Sequence, residues 1–247
     1  MHMRHTVEGF KLLYAADTGH SRLEVREGYF RGHVSRLLLE DGALETAMPL
    51  TEGEEHVLLF PYMRLFDQAF ALRPGIRSVL LIGGGGFQWP RHVLKTRPDI
   101  EIDVVESSPD VISISRSFFG LNTLEKDARF HLYPADGFDF LLGSAKRYDL
   151  ILNDAFTGAA ADSALLSAEG ISLTKVHLSE EGLSLLNMVS AVRGPFTFRT
   201  RHIRRRFSDT FRHTLLLQAD ESRSPYDIQN CVLFASGRPL TPDEGTP

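Results

Sequence analysis

Residues 78–86, SVLLIGGGG, decide the fold. Val79 to Ile82 are apolar at every position rather than at alternate ones, which is how a strand reads when helices cover both faces of its sheet. The glycines that follow, Gly83 to Gly86, let the chain turn sharply into a helix and let backbone N–H groups approach a ligand. The same alternation repeats downstream: a helix near 89–97, IEIDVVE (100–106), a helix near 109–119, ARFHLY (128–133), a helix near 137–143, and YDLILND (148–154). A helix near 168–178, the strand GLSLLNMVS (182–190) and a helix near 195–208 follow. Two last runs, TFRHTLLLQA and NCVLFAS, read as an antiparallel hairpin on the sheet edge. The pattern predicts an α/β fold with a doubly wound, mostly parallel sheet of seven strands. Upstream, FKLLYA, RLEVRE, GYFRGHVSRLLLE and ALETAMPL alternate with turn residues and predict a small antiparallel β unit. Residues 57–72 space apolar side chains at helical intervals, with Pro61 in the first turn. The expected domains are 1–56 and 57–247.

The 247 residues, 43% hydrophobic and 24% charged, have the composition of a globular chain. The single cysteine, Cys231, excludes both an internal disulfide framework and a cysteine zinc cluster. Twenty-seven basic against 32 acidic residues give a net charge of −5, with no global field to attract nucleic acid. No apolar run approaches the roughly 18 residues of a membrane span, and the opening MHMRHTVEGF lacks a signal peptide's apolar stretch. These features predict a cytoplasmic protein whose partners are small molecules.

In an open α/β sheet the ligand sits beyond the carboxyl ends of the strands. Glu106 ends the second strand 106 − 83 = 23 residues after the first glycine, near the spacing at which an acid bonds ribose hydroxyls. Phe87 and Gln88 depart from the dinucleotide fingerprint, and no Gly-Lys-Ser/Thr follows to make a phosphate loop. Asp136-Gly137 follows the third strand, and its carboxylate serves either as an adenine contact or as a helix cap. Asp154 ends the fourth, where a buried acid needs a partner and a substrate proton can be one.

Together these strand ends resemble the spermidine synthase family, aminopropyltransferases with a Rossmann-like class I methyltransferase fold and a small N-terminal β domain. VLLIGGGGFQWPRHVL resembles the family's glycine loop, VVESSPDVISISRSFFG its ribose strand, ADGFDFL its adenine-contacting Asp-Gly and YDLILNDAFTG its catalytic Asp loop. The glycine loop is most similar to the bacterial spermidine-synthase-like branch. The resemblance implies that Gly83, Gly84 and Gly85 line a sulfonium nucleoside, that Glu106 binds its ribose and Asp136-Gly137 its adenine, and that Asp154 is the general base. It places Tyr62 as an active-site tyrosine and Glu45, after Asp41-Gly42, where the family has a ligand-contacting Gln. The family carboxylates are replaced by Gly86 in the loop, Arg64 in the tyrosine segment and Thr157 after strand four. A cation about 4 Å from an ammonium costs on the order of 4 kcal/mol at an effective dielectric near 20. The expected reaction is aminopropyl transfer from decarboxylated S-adenosylmethionine to an amine other than plain putrescine, with Arg64 and Thr157 toward the acceptor. Methyl transfer from S-adenosylmethionine and a non-catalytic nucleoside-binding role are the alternatives. The family habit implies a homodimer or homotetramer.

Phe87 and Trp89 fit either a cover over the nucleoside or core packing. Arginines 199, 201, 204, 205 and 206 form a basic run that reads first as a solvated helix face or subunit contact. The ten histidines show no metal-ligand spacing, so no metal is expected.

Overall fold

A computed structural model describes residues 9–155 and 164–241. The chain opens with β1 (Lys11–Asp17), β2 (Arg22–Phe30), β3 (His33–Glu40) and β4 (Ala43–Pro49), an antiparallel sheet of four strands in sequential order. Two of its hairpins close through residue pairs at positive φ, Arg31-Gly32 and Asp41-Gly42, the backbone that tight two-residue turns require. The break therefore falls at Arg31-Gly32, not before Gly28 as the sequence runs suggested. Gly28 stays inside β2 because the ring of Phe10 lies where its side chain would stand.

The helix expected over 57–72 is two short ones, α1 (Pro61–Phe66) and α2 (Gln68–Leu72). Pro61 holds Phe60 extended, so the helix starts at the proline and not before it. Asp67 stands at the junction, its carboxylate accepting from Trp89 Nε1 at 3.1 Å and lying 2.8 Å from His92 Nε2.

Then follow β5 (Ser78–Ile82), α3 (Gln88–Thr96), β6 (Glu101–Glu106), α4 (Pro109–Phe118), α5 (Leu121–Leu124), β7 (Phe130–Pro134), α6 (Gly137–Gly143) and β8 (Tyr148–Asn153). The chain continues with α7 (Ala168–Val176), β9 (Leu178–Ser190), α8 (Phe198–Thr210), β10 (His213–Gln218) and β11 (Gln229–Ser236). The sheet has seven strands in the order β10-β11-β9-β8-β5-β6-β7. β9, β8, β5, β6 and β7 are parallel, and β11 runs antiparallel to both β9 and β10. Both faces are covered, as the unbroken apolar runs require. Val79 and Leu81 of β5 pack into one core with Leu150 and Leu152, while Leu80 and Ile82 pack into another with Ile151 and Leu186. Leu37, Leu39 and Ala47 of the small sheet join the first core. Among the described residues no helix is long and apolar enough to cross a membrane.

Candidate active site

The strand order reverses around β5, with β6 and β7 to one side and β8 and β9 to the other, which is where an open α/β sheet leaves its crevice. There the ends of β5, β6, β7 and β8 open into a cavity of about 390 Å³. Residues Glu40, Glu45 and Thr46 of the small sheet and Phe60 and Tyr62 at α1 also line it.

In the cavity wall the glycine loop meets Glu106. Glu106 Oε2 accepts from the amides of Gly84 (2.8 Å) and Gly85 (3.2 Å), and Oε1 from that of Ser108 (2.8 Å). Gly83 N donates to Val105 O and Gly86 N to Thr46 Oγ1. All four loop amides are thus used within the protein. The expectation that they face a ligand is corrected in that respect: the loop lines the cavity with its backbone while its donors hold Glu106. Gly83, at φ +95°, approaches so closely that an added Cβ would lie 2.7 Å from Ala155 N. At Gly86 the side chain of Thr46 fills the space a Cβ would need, so a larger residue there does not fit. Asp136 lines the cavity and caps α6, its Oδ1 accepting from Phe138 N (2.8 Å) and Asp139 N (3.1 Å). Of the two roles weighed for it the structure shows the helix cap, and Gly137 packs its backbone against Ile82.

Asp154 follows β8 beside the glycine loop, its N donating to Ile82 O at 2.8 Å. Its Oδ1 accepts from Asn187 Nδ2 at 2.7 Å and its Oδ2 from the Tyr62 hydroxyl at 3.4 Å. Asn230 Nδ2 in turn donates to Asn187 Oδ1 at 3.2 Å, which turns the Asn187 amide toward the carboxylate. Loss of water pushes the Asp154 carboxyl up to about 7, against the opposing pull of the two donors. Burial, then the charges of Asp154 and Glu45, raise the Tyr62 phenol well above its ordinary range, so it donates and does not ionise. Burial, followed by Glu40, Asp154 and Glu106, pushes Glu45 up to about 8.

The structure brings Tyr62, Gly83, Gly84, Gly85, Glu106, Asp136, Gly137 and Asp154 to one cavity. Arg64 is not brought there: its side chain is exposed and its Nε donates to Leu58 O, because on α1 it points away from the face that carries Tyr62 into the cavity. Thr157 lies outside the described residues. Phe87 and Trp89 are core residues, 0% and 2% exposed, and do not cover the cavity. α8 presents Ile203 and Phe207 inward and Arg201 and Arg205 to solvent. Asn187 and Asn230 were missed, although a lone Asn inside Leu185-Leu186-Asn187-Met188 is the kind of polar interruption that marks an inward-facing site. Arg31, Asp220 and Arg223 also line the cavity, from the β2–β3 and β10–β11 connections. Nothing local in those loops signals their place. Among the described residues no group of three or more His, Cys, Asp or Glu side chains is arranged to hold a metal.

A model of the spermine/spermidine synthase domain matches residues 64–191. A polyamine aminopropyltransferase of Vibrio vulnificus is 29% identical over 140 residues, 56% of this chain and 46% of the relative. Another, of Alkaliphilus metalliredigens, is 25% identical over 183 residues, 74% and 61% of the two chains. The chain thus spans about half to three-fifths of the length of these curated relatives. Among solved structures, spermidine synthase from Thermotoga maritima superposes with a TM-score of 0.72 at 21% identity, over 95% of this chain and 75% of that one. Human methyltransferase-like protein 13, in complex with SAH, superposes at 0.60 with 20% identity, over 76% and 85%. These likenesses show a Rossmann-like methyltransferase fold.

Proposed function

The chain belongs to the spermine/spermidine synthase family, and on that premise we propose that it transfers an aminopropyl group from decarboxylated S-adenosylmethionine to an amine, with Asp154 taking the amine's proton. The nucleoside supplies a carbon made electrophilic by its sulfonium. The protein's share is to orient the partners, to keep water out and to receive one proton. The observation that carries the reading is Asp154: a desolvated carboxyl near 7, aimed by Asn187 and Tyr62 into the cavity that Glu106 and the glycine loop also line. A base with that affinity is half ionised at neutral pH and takes a proton readily. Glu106 and Asp136, fixed by backbone amides, are the groups for the ribose and the adenine. The acceptor in this reading is an amine other than plain putrescine, since Thr46 fills the space a side chain at Gly86 would need and leaves no room there for a carboxylate.

A second reading, methyl transfer from S-adenosylmethionine, is favoured by Arg31 and Arg223, whose charges suit that molecule's carboxylate. Product analysis separates the two. With decarboxylated S-adenosylmethionine and a mixture of amines, aminopropyl transfer yields methylthioadenosine. Formation of S-adenosylhomocysteine from S-adenosylmethionine instead would establish methyl transfer.

A further inference from the structure

Glu45 and Asp154 line one cavity and bear on each other electrostatically, yet they have different company. Asp154 has two side-chain donors. Glu45, on β4, has neither a hydrogen bond nor an ion pair among the described residues. The charged groups that bear on it are Glu40 of β3, Asp154 after β8 and Glu106 at the end of β6, all carboxylates, and the Tyr62 phenol of α1 feels it as well. The cations of the cavity, Arg31 and Arg223, bear on Asp220 instead. A half-buried carboxyl with no protein donor and only like charges around it holds its proton more tightly than a free one. Its side chain nonetheless lines the space a ligand would enter.

We propose that the donor Glu45 lacks is a protonated amine of the substrate, which it receives as counter-ion while giving up its own proton to solvent. The inference rests on the aminopropyl-transfer reading and adds to it the residue that selects for charge. Two ammonium groups share the required chemistry: that of the aminopropyl arm and that of the acceptor. Both satisfy Glu45 in a way that a neutral nucleoside does not. Asp154 remains the proton acceptor of the reaction, and Glu45 takes no part in bond making.

The test is calorimetric titration at pH 7 in two buffers of different ionisation enthalpy, which counts protons released on binding. Three probes are used: methylthioadenosine, decarboxylated S-adenosylmethionine, and a diamine added to the methylthioadenosine complex. The expected result is no release with methylthioadenosine and release approaching one proton with one of the amine probes, which identifies the source. Glu45→Gln should abolish the release and weaken that probe about tenfold or more, leaving methylthioadenosine affinity as it was. Asp154→Asn should keep the release. Release lost in Asp154→Asn but kept in Glu45→Gln overturns the inference, as does release with neither amine. Failure of methylthioadenosine to bind overturns the nucleoside reading and this inference with it.

Discussion

Glu106 and Glu45 line the same cavity, and the chain around them treats them differently. Glu106 sits at the carboxyl end of a buried parallel strand, where the following turn and the glycine loop aim three backbone N–H groups at it. Glu45 sits on the edge strand β4 at a break in register, skipped between Leu44 and Thr46, which pair with Leu39 and Leu38, and no backbone N–H of the described residues donates to its side chain. Backbone donors cannot rotate away, so the carboxylate they hold is fixed and preformed. A half-buried carboxyl with side-chain donors, or none, is expected to change its protonation when a charged ligand arrives. On the proposed function, the cavity thus has what can be called a rigid end, Glu106 with the amides that hold it, for a nucleoside, and a proton-labile end, Asp154 and Glu45, for chemistry on an amine.

The largest break in this division comes from Asp154→Asn. It removes the proposed proton acceptor while keeping the shape, so turnover should fall by about 10²- to 10⁴-fold with methylthioadenosine affinity unchanged. Steady-state rates and calorimetry check the two halves. Glu45→Gln sharpens the electrostatic side. The folded protein holds the Glu45 proton up to about 8 whereas the unfolded chain releases it near 4.5, so the native state binds more protons in that window and stability falls as pH rises through it. The variant escapes this, and its melting temperature should exceed wild type by a margin that grows from pH 5 to 8, worth at most a few kcal/mol. Gly83→Ala couples the two ends. Its positive φ and the approach to Ala155 N leave no place for a methyl group, so it should cost on the order of 1–3 kcal/mol in denaturant titration and displace Asp154.

Smaller effects are expected within each end. Glu106→Gln cannot accept from all three amides, so methylthioadenosine should bind about tenfold more weakly while the pH at which turnover rises stays near 7. Tyr62→Phe removes a long hydrogen bond that lowers the Asp154 pKa. The acid limb of the turnover profile should therefore move toward higher pH, by less than about one unit.

The strand-end residues were the legible ones, whichever part of the cavity they serve. Gly83 to Gly86, Glu106, Asp136 and Asp154 stand at the ends of runs whose apolar continuity announces buried parallel strands, and position at a strand end is a property of the local sequence. What Glu106 does with the glycine amides was not legible, because it depends on two strands lying side by side. The division of residues 57–72 at Asp67 turned on Trp89 and His92, which reach it from another helix. Arg64 was misplaced for a related reason: the tyrosine segment gives its neighbourhood but not the side of α1 on which it projects. The proton-labile end draws Glu45 from the small sheet, Tyr62 from α1, and Asn187 and Asn230 from the far strands. No single stretch of sequence carries that assembly.

The central claim is that binding at the rigid end and chemistry at the labile end respond differently to protons. The most direct test measures methylthioadenosine affinity and turnover of decarboxylated S-adenosylmethionine on the same protein across pH. The account predicts an affinity that is flat with pH and a turnover that falls away below about 7 as Asp154 takes up its proton. Affinity and turnover falling along one common limb, or a turnover that does not change across neutral pH, would contradict it.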